Sequence, residues 1–310
     1  MACEECRVVK PVELNANAHQ SLSWRDIALL LLVMFLWALC FPLISVGLAT
    51  APPLSFAALR AFVAGASLLV LAILWRRPFP RHERVWFKLA GVGLGTTSLG
   101  FGGMFLAGGI VSPGIATVLA NSQPLIAAVL AYFVLGERLS PPIRIGLSLG
   151  FAGIILTAFS TFGSQSATNA LLGPVYILLA ALGVAVGNVL LKSLADEIDP
   201  LVAVGSQFVI GAVPLLSLAL VFESPIKIVW SLAFTVDLLA LSLFGTALVF
   251  VLWFSLMHRN RLTHLNTFTF LTPAFALVIG AFFFNERLGW LEIAGILLIL
   301  SGISWVSWRG

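Results

Sequence analysis

The stretches PLIAAVLAYFVLGERLS (residues 124–140) and PAFALVIGAFFFNERLG (residues 273–289) decide the fold. Each is an apolar run that begins at a proline and ends on a Glu-Arg-Leu sequence. An offset of 149 residues aligns Pro124 with Pro273 and Glu137 with Glu286. The same offset, without a gap, aligns Thr97, Phe101, Phe105, Gly146 and Gly153 with Thr246, Phe250, Phe254, Gly295 and Gly302. The match indicates that one half of the chain repeats the other.

The composition identifies the solvent in which this repeat folds. Hydrophobic residues make up 60% of the 310 positions and charged residues 10%, whereas soluble domains carry about 25% charged residues. A membrane-spanning helix needs about 20 mostly apolar residues, and the apolar runs do not alternate with polar residues as barrel strands do. The sequence therefore predicts an all-α integral membrane protein.

Ten apolar runs are long enough to cross a bilayer. They cover about residues 27–48, 54–75, 87–108, 113–135, 143–161, 172–194, 200–221, 237–257, 264–284 and 290–308. The repeat divides them into two units of five, residues 27–161 and 172–308, and an offset of 147 at the front of each unit pairs Arg60 with Gln207. Because five is odd, the second unit enters the membrane from the opposite side. We expect two inverted five-helix repeats.

The positions of the basic residues predict the orientation. Fourteen of the seventeen Lys and Arg residues fall on one side of a ten-span arrangement, and this side is expected to face the cytoplasm. We therefore expect a multi-pass protein of the cell (inner or plasma) membrane, with a cytoplasmic tail over residues 1–26 and both termini in the cytoplasm. The net charge of +4 then sets orientation and does not indicate binding to nucleic acid.

Several segments together resemble a known family. They are FLWALCFPLISVGL (35–48), PPLSFAALRAFVAG (52–65), ANSQPLIAAVLAYFVLGERLS (120–140), TFLTPAFALVIGAFFFNERLG (269–289) and GILLILSG (295–302). The pattern resembles the drug/metabolite transporter superfamily and, more narrowly, its ten-span EamA-type permeases, over nearly all of residues 27–308. The resemblance implies a secondary transporter, most often an exporter of small metabolites such as amino acids or of toxic compounds.

Inverted repeats favour alternating access, in which substrate binds near the midplane between the repeats. Sugar-phosphate members of the superfamily hold phosphate with membrane-embedded Lys and Arg, but the second half here has only Lys192 near a span end. A neutral, zwitterionic or aromatic metabolite is therefore the expected small-molecule partner, besides the lipid bilayer, and we expect a monomer or weak homodimer. A lipid scramblase, a flippase or a pore remains the alternative.

An enzyme is disfavoured, because His-Glu-x-x-His does not occur and we expect no His or Asp deep within a span. We expect no cofactor and no metal site, since Cys3 and Cys6 form a lone CxxC that lacks the four ligands of a structural zinc site. The sequence also places no acidic residue at depth in the membrane. Proton coupling therefore lacks an evident relay, and facilitated diffusion or exchange is expected.

Arg60 is the ionisable residue that the sequence places well inside a span, and its role has two open interpretations. In the functional interpretation, it anchors a substrate carboxylate or acts as a gate latch. In the structural interpretation, it caps helix carbonyls or extends to the membrane interface. The other candidates for substrate contact are aromatic and polar residues in the apolar runs, each of which could instead pack helices together. They are Trp37, Phe41, Phe101, Phe105, Asn121, Asn188, Gln207, Phe250, Trp253 and Thr269.

The two segments that define the repeat also contain candidate hinge and structural residues. Pro124 and Pro273 remove helix hydrogen bonds and could serve as hinges or as static kinks. Glu137 and Glu286 lie at the membrane boundary, where a charge is inexpensive. We expect a structural role for both, either bonding backbone N–H groups of the next helix or pairing with an Arg such as Arg138.

Overall fold

The computed structural model describes residues 22–107, 119–137, 139–159, 172–283 and 289–309. Every regular element in these ranges is a helix. In chain order they are α1 (Trp24–Leu48), α2 (Pro53–Leu74), α3 (Glu83–Ala107), α4 (Gln123–Leu135), α5 (Pro141–Phe159), α6 (Leu172–Lys192), α7 (Pro200–Phe222), α8 (Leu232–Arg259), α9 (Leu262–Phe268), α10 (Leu271–Phe283) and α11 (Trp290–Arg309). The predictions for Glu286 and for Arg138 lie outside the described residues.

Short polar side chains fix where several helices begin. Ser23 accepts a hydrogen bond from the Asp26 backbone N–H at 3.1 Å, and Ser231 accepts one from the Phe234 N–H at 3.1 Å. Such a side chain satisfies a backbone donor that the first helical turn leaves unpaired. The Ser231 cap starts α8 at Leu232, ahead of the predicted start at residue 237. Asp237 therefore lies inside α8 rather than at its edge.

Two helices contain a wider, π-helical segment in the middle. It covers Gly93–Leu99 in α3 and Leu243–Leu248 in α8. Adding the repeat offset of 149 to Gly93–Leu99 gives residues 242–248, so the irregularity occupies equivalent positions in the two halves. A π-helical turn disrupts the regular hydrogen-bond ladder and is frequent at functional sites. These segments are the first structural indication of where a site lies.

The prolines of the two repeated stretches lie in the first turns of helices. A turn at Thr269 and Phe270 divides the predicted run 264–284 into α9 and α10, and a corresponding turn precedes α4. Pro124 is the second residue of α4 and Pro273 the third residue of α10. The missing proline N–H is unpaired at that position in any case. Each proline therefore lies just after a turn and does not kink a continuous helix.

The closest helix pairs join one half of the chain to the other through glycine. Helices α5 and α11 meet where a Cβ on Gly153 would lie 2.6 Å from the Gly295 carbonyl oxygen and one on Gly302 would lie 2.9 Å from that of Gly146. The repeat offset relates Gly146 to Gly295 and Gly153 to Gly302, so exchanging the halves reproduces both contacts. Helices α2 and α7 cross similarly close at Gly65 and Gly205.

The outer surface of the bundle is apolar. Phe62, Ile73 and Leu74 on α2, and Val221 and Phe222 on α7, all expose more than half of their side chains. Five described helices are long and apolar enough to cross a membrane, namely α2, α3, α6, α7 and α8, and α4 and parts of α5 and α11 form shorter apolar helices. A continuous apolar surface of this kind suits lipid and not water.

Candidate functional site

Arg60 of α2 points into the bundle, toward the π-helical segment of α8. Its Nε donates to Thr246 Oγ1 at 2.8 Å, and one terminal nitrogen donates to the Gly245 carbonyl at 3.3 Å and contacts Cys40 Sγ at 3.6 Å. The side chain is 4% exposed. Placing an arginine inside a membrane helix costs about 2.5–3.5 kcal/mol on insertion scales, and these bonds offset that cost. Arg60 thus bonds a helix carbonyl, as one interpretation expected, but does not extend to the interface.

An aromatic cluster extends from Arg60 across the interior. The Arg60 guanidinium carbon lies 4.9 Å from the Phe101 ring centroid, a cation–π distance. Successive rings then pack with centroids 4.9–5.9 Å apart. We define the aromatic cluster by these rings, which are Phe101, Phe208, Phe250, Trp37 and Trp253.

The far end of the aromatic cluster carries a polar group. Trp253 Nε1 donates to Asn188 Oδ1 of α6 at 3.4 Å, which gives the buried indole the partner it needs. The structure therefore brings together Arg60, Asn188 and four of the predicted aromatic residues. Phe208 is an addition, and its position beside Gln207 in an apolar run gave no separate signal.

Gln207 occupies in α7 the position that Arg60 occupies in α2, according to the repeat. The π-helical segment of α3 packs on α7 from Gln207 to Gly211, since a Cβ on Gly93 would lie 2.7 Å from the Gln207 carbonyl oxygen. The amide oxygen and nitrogen of the Gln207 side chain are buried, as is the Thr97 hydroxyl. None of them forms a hydrogen bond with a described residue. Thr97 is the repeat equivalent of Thr246. One half thus has an engaged Arg60–Thr246 pair, and the other has two unengaged polar groups.

Asp237 of α8 was not expected at this depth. It is 5% exposed, and neither carboxylate oxygen accepts a hydrogen bond from a described residue. The predicted run placed Asp237 at the start of a span, whereas the structure places it inside α8 with its side chain buried. The sequence signal was the Ser231 cap followed by Leu232–Val236 without a charge, which extends the helix ahead of Asp237.

The remaining predicted contacts lie apart from the aromatic cluster. Phe105 packs on Phe56 with ring centroids 5.8 Å apart. Asn121 is partly buried in the turn before α4, and Thr269 Oγ1 donates to the Asn266 carbonyl at 2.7 Å in the turn before α10. The Phe41 side chain lies outside the described part of the structure.

Two glutamates join the halves at opposite ends of the bundle. Glu137 accepts hydrogen bonds from the backbone N–H groups of Leu262 and Thr263 at 2.9 and 3.0 Å and from Thr263 Oγ1 at 2.8 Å. It caps α9 of the other half, not the next helix in the chain. Glu223, at the end of α7, makes the same three kinds of bond to Leu54 and Ser55 at 2.7–2.8 Å. Each carboxylate satisfies helix N-terminal donors and interacts favourably with the helix dipole.

Polar contacts also hold the end of the bundle that carries Glu137, which we call the basic end. Lys192 Nζ donates to the carbonyls of Met257 and Asn260, the latter at 2.8 Å. Ion pairs of 3.6 Å join Arg77 to Asp199, Lys88 to Glu197 and Arg259 to Asp26 at the same end.

The site offers a buried cation beside aromatic faces, with amide and hydroxyl groups on the other side of the interior. Such a set can bind a carboxylate through the guanidinium and an apolar or aromatic group through the rings. Within the described ranges no group of three or more His, Cys, Asp and Glu side chains is placed to hold a metal ion.

These features define a multi-helix membrane protein with a polar site between two related halves. The chain belongs to the EamA-like transporter family, whose pattern matches it twice, over residues 24–159 and 171–308. The protein is therefore a membrane transporter of the drug/metabolite transporter superfamily, and the names of its relatives indicate transporters and not enzymes.

Relatives in plants and bacteria resemble the chain over most of its length. A chloroplast WAT1-related protein of Arabidopsis thaliana is 33% identical over 88% of this chain and 67% of its own length. The transporter YvbV of Bacillus subtilis is 30% identical over 91% and 92%. An Escherichia coli protein named "Probable amino-acid metabolite efflux pump" is 28% identical over 91% and 94%. One solved crystal structure has the same fold, with a TM-score of 0.76 and 19% identity over 91% of this chain and 96% of that chain.

Proposed function

We propose that the chain is a secondary transporter with ten spans in two inverted five-helix repeats, which moves a small organic solute by alternating access. The observation that carries this proposal is the pair of π-helical segments at equivalent positions in α3 and α8. Arg60 faces one segment and Gln207 packs on the other. Two related interfaces of opposite sense allow one to open while the other closes, which is the basis of alternating access.

The proposed substrates are neutral, zwitterionic or aromatic metabolites such as amino acids. Arg60 supplies charge-assisted hydrogen bonds to a carboxylate, and the aromatic cluster supplies an apolar surface for the side chain. The name of the Escherichia coli relative supports amino-acid-type substrates and movement out of the cell. We propose export on that basis.

We also propose that the protein lies in the cell membrane with both termini in the cytoplasm. The basic end carries Arg77, Lys88, Lys192 and Arg259, and the positive-inside rule assigns such an end to the cytoplasm. Arg60, Asp237 and Glu223 then lie toward the outer side, since α2 and α8 both begin there.

Counterflow in liposomes tests the proposed function. Vesicles that contain the purified chain and unlabelled amino acid are diluted into a trace of radiolabelled L-phenylalanine. A carrier predicts saturable, transient accumulation of label above equilibrium, which requires the unlabelled solute inside. A non-saturable flux would indicate a pore instead, and movement of labelled lipid between leaflets without solute exchange would indicate a scramblase.

A further inference from the structure

The Asp237 carboxyl group is a buried polar group that the transport site as described so far does not use. Only 5% of the residue is exposed, and neither carboxylate oxygen accepts a hydrogen bond from a described residue. Buried polar groups without a partner are rare in folded proteins. Inside a membrane, an ionisable residue of this kind indicates a functional site.

Asp237 and Arg60 lie where the same three helices meet. A Cβ on Gly47 of α1 would lie 2.7 Å from Asp237 Oδ2 and would also contact the Phe56 ring of α2, so the carboxyl group and this ring meet at one point of α1. Arg60 of α2 donates to the Gly245 carbonyl of α8, the helix that carries Asp237. The two charged groups interact electrostatically. Since Phe56 precedes Arg60 by one helical turn, about 6 Å along α2, the carboxyl group lies nearer the end of the bundle where α2 begins.

The charges of the two residues match one kind of substrate. With Arg60 protonated and Asp237 ionised, the site carries one positive and one negative charge. An amino-acid zwitterion adds one charge of each sign, so the occupied site stays neutral. An acid without an ammonium group leaves one uncompensated negative charge, and an amine without a carboxylate leaves one positive charge. Either excess is costly inside a membrane, so the pair of residues favours the zwitterion.

We propose that Asp237 binds the ammonium group of the substrate while Arg60 binds its carboxylate, and that the two residues together select zwitterionic amino acids. This inference rests on the proposed function and names the substrate class of its site. The hydrogen bonds from Arg60 to described residues start from Nε and from one terminal nitrogen, which leaves the N–H donors of the other terminal nitrogen for a carboxylate. The Asp237 oxygens accept hydrogen bonds from the N–H donors of the ammonium group, and such charge-assisted bonds are stronger than neutral ones.

Competition for counterflow tests the inference with compounds that differ in their charged groups. Liposomes that contain the full chain and unlabelled L-phenylalanine take up a trace of labelled L-phenylalanine. The outside solution also contains unlabelled L-phenylalanine, 3-phenylpropionate, which lacks the ammonium group, or phenethylamine, which lacks the carboxylate. For the wild-type chain, L-phenylalanine is expected to compete about tenfold or more better than either analogue.

Asp237→Asn removes the negative charge and keeps the size of the side chain. The concentration of L-phenylalanine that half-inhibits counterflow should rise by about ten- to a hundredfold in this variant. The concentration of 3-phenylpropionate should fall, because a lone carboxylate on Arg60 then leaves the site neutral. Opposite shifts for the two compounds are the signature of recognition, since a structural defect would weaken both. Asp196→Asn, which changes an exposed carboxyl group, is the matched control and should keep the wild-type order of competitors.

The outcomes separate the inference from the function on which it rests. Equal competition by 3-phenylpropionate and L-phenylalanine in the wild type overturns the inference and leaves the transporter intact. An equal loss for both compounds in Asp237→Asn also overturns it and assigns Asp237 to structure. If Asp237→Asn does not fold, Asp237→Ala serves for the same comparison, and the wild-type order of competitors decides without either variant. Absence of counterflow for the wild type with every amino acid contradicts the proposed function itself.

Discussion

Arg60 can have two roles, and replacing it distinguishes between them. Its hydrogen bonds to Thr246 and Gly245 hold α2 to α8, and its charge is the feature that a carboxylate would recognise. A role in structure affects every substrate equally. A role in recognition affects only substrates that carry a carboxylate.

Arg60→Gln is therefore expected to weaken transport of phenylalanine far more than transport of phenethylamine, which lacks the carboxylate. A hydrogen bond to a charged group contributes about 1.5–3 kcal/mol, and 1.4 kcal/mol is about a tenfold change in affinity. We expect the apparent affinity for phenylalanine to fall by about ten- to a hundredfold, measured as the concentration that half-saturates counterflow. An equal loss for both compounds would assign Arg60 to structure alone.

The bond from Trp253 to Asn188 gives a second residue-scale prediction. Asn188→Leu leaves the buried indole N–H without a partner, and an unsatisfied buried donor costs about 1–3 kcal/mol. The thermal unfolding midpoint should fall in Asn188→Leu and recover in the double variant Asn188→Leu with Trp253→Phe, which removes the donor as well. If the double variant is no more stable than Asn188→Leu, the hydrogen bond to Trp253 is not the way in which Asn188 stabilises the fold.

At the scale of helices, the two carboxylate caps couple the halves of the chain. Glu137 and Glu223 each accept three hydrogen bonds from the start of a helix in the other half. Loss of an N-terminal cap costs about 0.5–2 kcal/mol. Glu137→Ala and Glu223→Ala should each lower the unfolding midpoint in detergent. Glu197→Ala, which removes an exposed ion pair to Lys88, should change it little, because such pairs contribute about 0–1 kcal/mol.

The glycine contacts between α5 and α11 provide another prediction at this scale. Gly153→Ala would place a Cβ 2.6 Å from the Gly295 carbonyl oxygen, against backbone that cannot rotate away. Overpacking of this kind costs about 1–3 kcal/mol. In the control Gly91→Ala, the Cβ would meet the end of the Leu190 side chain at 3.0 Å, which can move. Gly153→Ala should be the less thermally stable variant, and equal midpoints would contradict the close helix approach.

How far the sequence predicts the helices depends on the physical signal that marks each one. Apolar length locates α1, α2, α6 and α7 closely, because lipid requires a continuous apolar run. It locates α8 poorly, since the predicted run began at Asp237 and the Ser231 cap lies farther upstream. The π-helical segments leave no mark in an apolar pattern, because hydrogen-bond register is a property of the backbone. Phe208 joins the aromatic cluster only through the crossing of α7 with α3 and α8.

At the scale of the whole molecule, the repeat predicts inter-half contacts that no single helix shows. Gly146, Gly153 and their equivalents pack crosswise, and the π-helical segments of α3 and α8 each face the second helix of the opposite half. Exchange between two such arrangements needs only that the two interfaces be similar in energy. One interface has the engaged Arg60–Thr246 pair, and the other has Gln207 and Thr97 side chains without a hydrogen bond to a described residue.

Such an arrangement requires an even number of membrane crossings, which labelling can test. Each variant is expressed in cells and contains one cysteine in addition to the buried Cys40. A maleimide that does not cross the membrane then labels the cysteines that face outward. Native Cys3, Arg81→Cys and Trp308→Cys should be labelled only after the cells are opened, because all three lie at the cytoplasmic side of a ten-span chain. Lys227→Cys, in the exposed segment before α8, should be labelled in intact cells. Labelling of Cys3 and Trp308→Cys from different sides would mean an odd number of crossings, and two inverted five-helix repeats would then be ruled out.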